Sequence, residues 1–574
     1  MEDLKYFEIL AKKKELSKQN SSSPLKFMIL SNITVNQLTD IAEYYLLTKG
    51  VNVVFDTGNY DNIVQDIQNL QNIDGIIIFW EAANIINGLH YKINLFSDKE
   101  YTQILEKVKS EIDLILPKLE NIPTVIFNEF SSLLFNSFFR KKNKFDQLCD
   151  DLNNYLIEKL PKSVVKTDLN KIIAQVSVEK SHNSRDYISS KVLYSVDFLK
   201  AYTQFITPVI MSSVGKIKKA LIFDCDNTLW KGVVGEDGFE GINMSENDKQ
   251  GKPFNEVQNL ATELSKHGVI IGLCSKNNPE DVDNVIQNHS DMILNDKYIT
   301  IKKVNWKNKA ENLREIATDL NLGIDSLVFV DDSDFEINLI KEQVPEITTV
   351  QVPKKLHIYP AEIRKKFSLF FKNVITEEDK RKTEMYANQV KRKTALAKAG
   401  NFEDYLKSLE MFVTVFINDK TKVARIAQMT QKTNQFNLTT KRYTESQILN
   451  FVENPIYNIF AVSVADKFGD NGITGLAIIK NNNDFAEIDT FLMSCRIIGR
   501  NIEFKFLEFI IDKTECEIIK STYIKTKKNA QTENFFEKSG FILDNKNDDT
   551  KFYILQKQNI QKQSLDYIEI SYGK

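Results

Sequence analysis

Apolar and polar positions alternate along the chain in short blocks. Up to about residue 215, apolar runs recur at 27–30, 53–55, 75–79 and 125–127, each ended by polar residues and separated by amphipathic stretches. Short apolar runs of this kind predict buried strands, and the stretches between them predict helices, so the segment reads as parallel strands with helical crossovers. The same logic returns between about 216 and 372, with strands expected near 220–223, 269–273, 327–330 and 348–352. Residues 307–322 place Ala310, Leu313, Ala317 and Leu320 on one side of a helix. The charge-dense stretch 376–400 reads as a helix joining two domains, with a solvated linker and an interface role equally open. Beyond it, strands are expected at 412–417, 459–465, 475–479 and 486–493, followed by a helix at 501–513. The pattern therefore predicts an α/β, multidomain chain: 1–215, 216–372, a helical linker 373–400, a domain 401–560 and a polar tail 561–574. No internal repeat is visible.

Composition narrows the class. A length of 574 residues predicts roughly three or four domains. Hydrophobic content of 42% is that of a globular protein, and a net charge of -3 without a basic stripe argues against a nucleic-acid partner. Cys149, Cys225, Cys274, Cys495 and Cys516 are scattered without CxxC spacing, which predicts a reduced, cytoplasmic protein and no zinc site. The first residues lack a basic region followed by an apolar core, so no signal peptide is expected, and no apolar run is long enough to span a membrane.

The chemistry concentrates after the strand at 220–223. Asp224 and Asp226 follow the apolar run with one residue between them, then come Asn227 and Thr228. Carboxylates at the end of a parallel strand stand where open α/β sheets bind ligands. Two such acids call for a cation, and Mg²⁺ is the usual partner of oxygen ligands. The pair suits a carboxylate that attacks phosphorus beside one that moves the proton. Three further groups arrive in order: Ser275 at the end of one strand, Lys309 at the start of a helix, and Asp331-Asp332 at the end of another strand. A phosphoryl group in transfer carries charge on its oxygens and needs donors and cations around it. Ser275 and Thr228 would donate, Lys309 would neutralise, and Asp331 or Asp332 would complete a Mg²⁺ site with Asp224.

These residues resemble the four motifs of haloacid dehalogenase superfamily phosphatases. The resemblance implies a Rossmann-like domain, Asp224 as nucleophile, Asp226 as general acid/base, and Mg²⁺ held by Asp224, Asp226, Asp331 and Asp332. The flanks, Leu229-Trp230-Lys231-Gly232-Val233-Val234-Gly235, Cys274-Ser275-Lys276-Asn277 and Asn305-Trp306-Lys307-Asn308-Lys309, resemble the FkbH-like branch (subfamily IIIC). Its members usually have Gly-Gly after the Trp and Asn-Pro after the last acids. Here the positions hold Lys231 and Ser333-Asp334.

Farther on, Arg496-x-x-Gly499-Arg500-Asn501 lies between a predicted strand and a predicted helix and resembles the pyrophosphate loop of GNAT acyltransferases. N–H groups at a helix start bind phosphate, and small residues allow close approach. The resemblance implies a GNAT-like α+β domain in which Arg496, Gly499 and Arg500 bind a carrier's phosphopantetheine. Residues 529–541 resemble the last helix-turn-strand of that fold. Cys495, beside two arginines at a helix start, reads as a nucleophile, with a small buried hydrophobe equally open. Cys225 and Cys274 are rivals whose acidic neighbours should raise their pKa. Two further stretches match the FkbH-like pattern: 425–437, rich in amide and hydroxyl donors, and 466–470, a turn that could equally be a plain hairpin.

In the first segment, Ser31-Asn32 and Asn128 resemble an SGNH hydrolase-like fold, but the loop lacks its glycine and no DxxH occurs. An inactive scaffold or docking domain is expected.

Together these readings imply an enzyme that removes phosphate from a three-carbon donor such as 1,3-bisphosphoglycerate and loads a glyceryl group on an acyl carrier protein. Two alternatives remain at this level: a stand-alone Mg²⁺-dependent small-molecule phosphatase, and a non-catalytic carrier-binding scaffold.

Overall fold

The computed structural model describes residues 4–19, 23–135, 141–373, 381–398, 401–526 and 528–573. The chain divides into two compact units, Met1–Val214 and Gly215–Lys574.

The first unit is built on five parallel strands, β1 (Leu25–Ser31), β2 (Val53–Thr57), β3 (Gly75–Phe79), β4 (Thr124–Asn128) and β5 (Val165–Thr167), in the order β2-β1-β3-β4-β5. Every residue of β3 and β4 is buried, as the unbroken apolar runs require of strands covered on both faces. The long helix Asp98–Leu119 begins at a capping box in which Ser97 and Glu100 satisfy each other's backbone donors. β5 escaped the sequence reading because it has only three residues.

The crevice at the carboxyl ends of β1 and β3 is closed by polar groups. Ser31 Oγ donates to the Phe79 carbonyl at 2.9 Å and accepts from Ile33 N, while Asn32 exchanges hydrogen bonds with the Glu81 backbone. His182 Nε2 pairs with Ser184 instead.

Glu81 is itself buried, accepting from Tyr194 Oη at 2.9 Å and from Ala83 N. Burial pushes its carboxyl up to about 7 against an ordinary 4.5, opposed by those hydrogen bonds. The native state thus holds this proton more tightly than the unfolded chain. The stability it brings is complete below about 4.5 and is lost as pH rises to about 7, on the order of 3 kcal/mol. Urea titrations across this window should show the loss, and Glu81→Gln should flatten the slope. An unchanged slope in the variant would assign the pH dependence elsewhere.

In the second unit, β6 (Ala220–Phe223), β7 (Ile270–Ser275), β8 (Ile299–Val304), β9 (Leu327–Asp331) and β10 (Thr348–Gln351) form a parallel sheet ordered β10-β9-β6-β7-β8. Strand order reverses at β6, so the crevice falls beside its carboxyl end. Two apolar clusters cover the faces, one around Phe223, Trp230, Phe254 and Tyr359, the other around Ile222, Leu313, Ile316 and Phe329. The expected helix near 307–322 runs Lys309–Asp319.

A nine-stranded mixed sheet follows: β11 (Met411–Ile417), β12 (Phe436–Asn437), β13 (Tyr457–Asp466), β14 (Gly469–Asn481), β15 (Ala486–Met493), β16 (Ile518–Ile524), β17 (Ile542–Lys546), β18 (Thr550–Gln556) and β19 (Ile568–Tyr572). β15 and β16 pair in parallel only over Ala486–Ile488 and then part, and β12 pairs with Leu492 and Met493 beyond that point. The turn at 466–470 is a hairpin between β13 and β14.

Two boundaries change. The final segment, expected as a polar tail, contains β19, which pairs in parallel with β11. The linker is more than a spacer where it is described. Residues 374–380 and 399–400 lie outside the described residues, but helix Lys382–Lys398 joins the two sheets. Tyr386 belongs to the apolar cluster around Phe329, and Arg392 makes a bidentate pair with Asp466 at 2.7 and 2.8 Å.

Candidate active site

The strands of the second sheet bring the predicted acids together. Asp224 follows β6, and its N–H donates to the Val330 carbonyl of β9, which fixes the two strand ends side by side. Oxygens of Asp224, Asp331 and Asp332 all lie within 4.8 Å of one another. Lys309, the first residue of its helix behind an Asn308 cap, reaches Asp331 Oδ2 at 2.7 Å and Asp224 Oδ1 at 3.1 Å. All three of these side chains are buried.

Electrostatics follow from that crowding. Burial alone would lower the Lys309 pKa, but the charges of Asp224 and Asp331 outweigh it and hold the ammonium well above its usual range. Burial, then the Asp224 charge, raises Asp331 against the pull of Lys309. The same two causes push Asp332 up to about 6. Three carboxylates against one ammonium leave an uncompensated negative charge in a cleft of hard oxygen ligands. That donor set fits Mg²⁺.

Asp226 departs from the expectation. It is no part of this cluster: its carboxylate accepts from Trp230 Nε1 at 2.9 Å, Val234 N at 3.0 Å and Asn277 Nδ2 at 2.8 Å. Three donors aim the group, and its oxygens are not among those that lie within 4.8 Å of one another in the Asp224, Asp331 and Asp332 set. Burial, opposed by these donors, raises its pKa. Trp230 and Asn277 thus position Asp226, a role sequence reasoning missed although both lay in quoted motifs. The turn that allows this needs Gly232, at φ +101, whose N–H donates to Asn227 Oδ1. Lys231 points away to Gln250, so its side chain does not enter the cleft. Ser333 caps the helix Asp334–Gln343 and donates its N–H to Asp331 Oδ1, so the departure after the acids still supports them.

Ser275 is buried at the end of β7 and hydrogen-bonds Cys225. Thr228 Oγ1 is buried and finds no hydrogen-bond partner among the described residues. Burial, ahead of the nearby acids, pushes the thiols of Cys225 and Cys274 up. The direction is the expected one, with desolvation rather than charge as the main cause.

Cys495 lies elsewhere. It lines a cavity bordered by Lys219, Val269 and Ser326, the residues just before β6, β7 and β9. Lys219 and Asp224 are five extended residues apart, about 16 Å, so Cys495 and the acids occupy opposite ends of one sheet. Arg500 does not present itself to a phosphate. It is buried against Asp466 Oδ2 at 2.9 Å, Gln389 and the Arg496 carbonyl, and Asp466 also holds Arg392. Arg496 is also buried, with Nε on Ser494 Oγ. Gly499 has φ +82 and open space around it, which leaves room for a close approach.

Paired strand ends carrying carboxylates at the switch point, with a buried lysine between them, define a phosphatase-type α/β domain fused to a mixed α+β domain. No family model and no curated protein matches the chain. Among solved structures, it is similar to the N-terminal part of BF1531 from Bacteroides fragilis, described as containing a phosphatase domain complexed with Mg: 25% identity, TM-score 0.54, covering 65% of this chain and 100% of that one. Slighter likenesses are to a putative GNAT-family acetyltransferase from Desulfovibrio desulfuricans (14% identity, TM-score 0.20, 25% of this chain and 99% of that one) and to the ribosomal-protein-S18-alanine N-acetyltransferase from Escherichia coli (13%, 0.21, 27% and 97%). No helix among the described residues is long and apolar enough to cross a membrane.

Proposed function

We propose that this protein is a Mg²⁺-dependent phosphatase of the haloacid dehalogenase type, of the FkbH-like branch. Its donor is a phosphorylated three-carbon acyl compound such as 1,3-bisphosphoglycerate. Its GNAT-like C-terminal domain passes the glyceryl group to the phosphopantetheine thiol of an acyl carrier protein. The observation that carries the phosphatase part is the convergence of Asp224, Asp331, Asp332 and Lys309 at adjacent strand ends. The Mg in the similar Bacteroides structure supports the same ion here. Asp224, Asp331 and Asp332 would hold it, where it would offset phosphate charge and polarise the P–O bond.

The residues divide the work. Asp224 attacks phosphorus, so an O–P bond to the carboxylate forms as the ester P–O bond breaks. Asp226, kept nearer its protonated form by burial, gives its proton to the departing oxygen and later takes one from the attacking water. Lys309 neutralises the phosphate, and the hydroxyls of Ser275 and Thr228 donate to it. The partnerless Thr228 Oγ1 supports that assignment.

Acyl transfer is assigned to Cys495. Its thiolate attacks the acyl carbon, an S–C bond forms, the C–O bond to phosphate breaks, and the carrier thiol then displaces Cys495. Five free cysteines support a reducing, cytoplasmic setting. Mass spectrometry of the protein with donor and carrier tests the relay. Cys495→Ala should abolish glyceryl-carrier while phosphate release from a simple monoester persists; glyceryl-carrier formed at the normal rate would sink the relay.

One observation favours a second reading, the stand-alone phosphatase: Arg500 is committed to Asp466 rather than open to a phosphate. Phosphate release with no carrier product under any condition would select it.

A further inference from the structure

The cavity beside Cys495 is about 250 Å³ in volume. Seven of its lining residues are Lys or Arg and one is a carboxylate, Asp325, already paired with Lys528 at 3.1 Å. The whole chain carries a net charge of -3, so this wall reverses the molecule's sign locally. Cations of one sign around a concave surface focus a positive potential and draw anions in. The other end of the same strands carries the carboxylates. One sheet thus presents a negative cleft at one end and a positive cavity at the other.

The polar detail suits a ligand with both charge and hydrogen-bonding groups. Gln435 is in the cavity wall, and its Oε1 is buried without a hydrogen-bond partner among the described residues. Asn321, from the phosphatase-type domain, donates to the Cys495 carbonyl and holds that residue in the wall. The volume falls just under the ~300–1,000 Å³ of pockets for drug-sized ligands, which suits a compact metabolite better than a long prosthetic arm.

We propose that this cavity is a second ligand site, separate from the acid cluster, for a small carboxylic acid carrying a phosphate ester. The choice of a three-carbon acid rests on the function proposed above; the site itself rests on the cavity.

The test is alkylation of Cys495 by iodoacetamide, followed by peptide mass spectrometry at fixed ionic strength. Cys516, also partly exposed, is the internal reference. Using Asp224→Asn with Mg²⁺ chelated keeps the probe, 3-phosphoglycerate, intact and the acid cluster silent. Saturating 3-phosphoglycerate should slow Cys495 labelling about tenfold and leave Cys516 unaffected. Unphosphorylated glycerate should not protect. Lys219→Gln and Lys528→Gln, each checked for a wild-type melting temperature, should weaken the protection. The proposal is overturned by no protection at millimolar 3-phosphoglycerate, by equal protection from glycerate, or by full protection in both variants. Phosphate release by the wild-type chain is read separately, so loss of that activity with protection intact removes the function proposed above and leaves this site standing.

Discussion

Asp224→Asn should reduce phosphate release by at least a thousandfold, because losing a covalent nucleophile costs on the order of 10³–10⁶ in rate. The loss should appear in kcat, not KM, since the amide keeps the side chain's size and leaves Lys309 beside Asp331 at 2.7 Å. Asp226→Asn should behave differently. Its carboxylate touches Trp230, Val234 and Asn277, so the variant keeps the nucleophile and loses the proton donor. Activity should then survive best on substrates whose leaving group needs no proton, such as a nitrophenyl phosphate. A steady-state assay on both substrates reads the distinction, and equal losses for Asp226→Asn on each would remove its acid role.

Lys309→Ala should be the most destabilising change at the site. The ammonium lies between Asp224 and Asp331, all three side chains 8% exposed or less. Removing one partner of a buried ionic group costs about 3–5 kcal/mol, since it strands the others. Here three carboxylates would face one another without their cation. Denaturation should show that loss, and millimolar Mg²⁺ should recover part of it by taking over the neutralisation. A variant as stable as the wild type would mean the acids tolerate each other without help. A variant insensitive to Mg²⁺ would mean they do not bind it.

Much of this site was legible because its signals are local. The run Leu221-Ile222-Phe223 is buried on both sides of a parallel sheet, so its apolar stretch is unbroken and its end is marked by Asp224. The same holds for β9 and Asp331-Asp332. β8 was missed because Lys302 and Lys303 interrupt the apolar pattern where the strand is only half covered. β17 is exposed along its length and carries no apolar face to read. β19 pairs with β11, about 150 residues earlier, and nothing in a short polar segment names so distant a partner.

Long-range partners were equally hidden at individual side chains. Arg500 sits in a loop whose sequence resembles a phosphate site, but its partners, Asp466 and Gln389, are 34 and 111 residues away. The resemblance placed Asp226 beside Asp224 at the metal. Its real partners arrive from the loop at Trp230–Val234 and from Asn277, and they turn the side chain out of the cluster. Cys495 could be placed on a loop after a strand, but not at the amino ends of β6, β7 and β9. That position follows from helix Lys382–Lys398 fastening the two sheets through Tyr386 and Arg392.

Asp224, Asp331 and Asp332, as a metal-assisted phosphoryl-transfer centre, require that phosphate release follow the metal. The most direct measurement is phosphate release from a small phosphate monoester by the purified full chain, with Mg²⁺, after chelation, and after Mg²⁺ is returned. The account predicts release with the metal, loss on chelation and recovery on return, with none of this in Asp224→Asn. Release that continues unchanged after chelation, or that persists in Asp224→Asn, would contradict it.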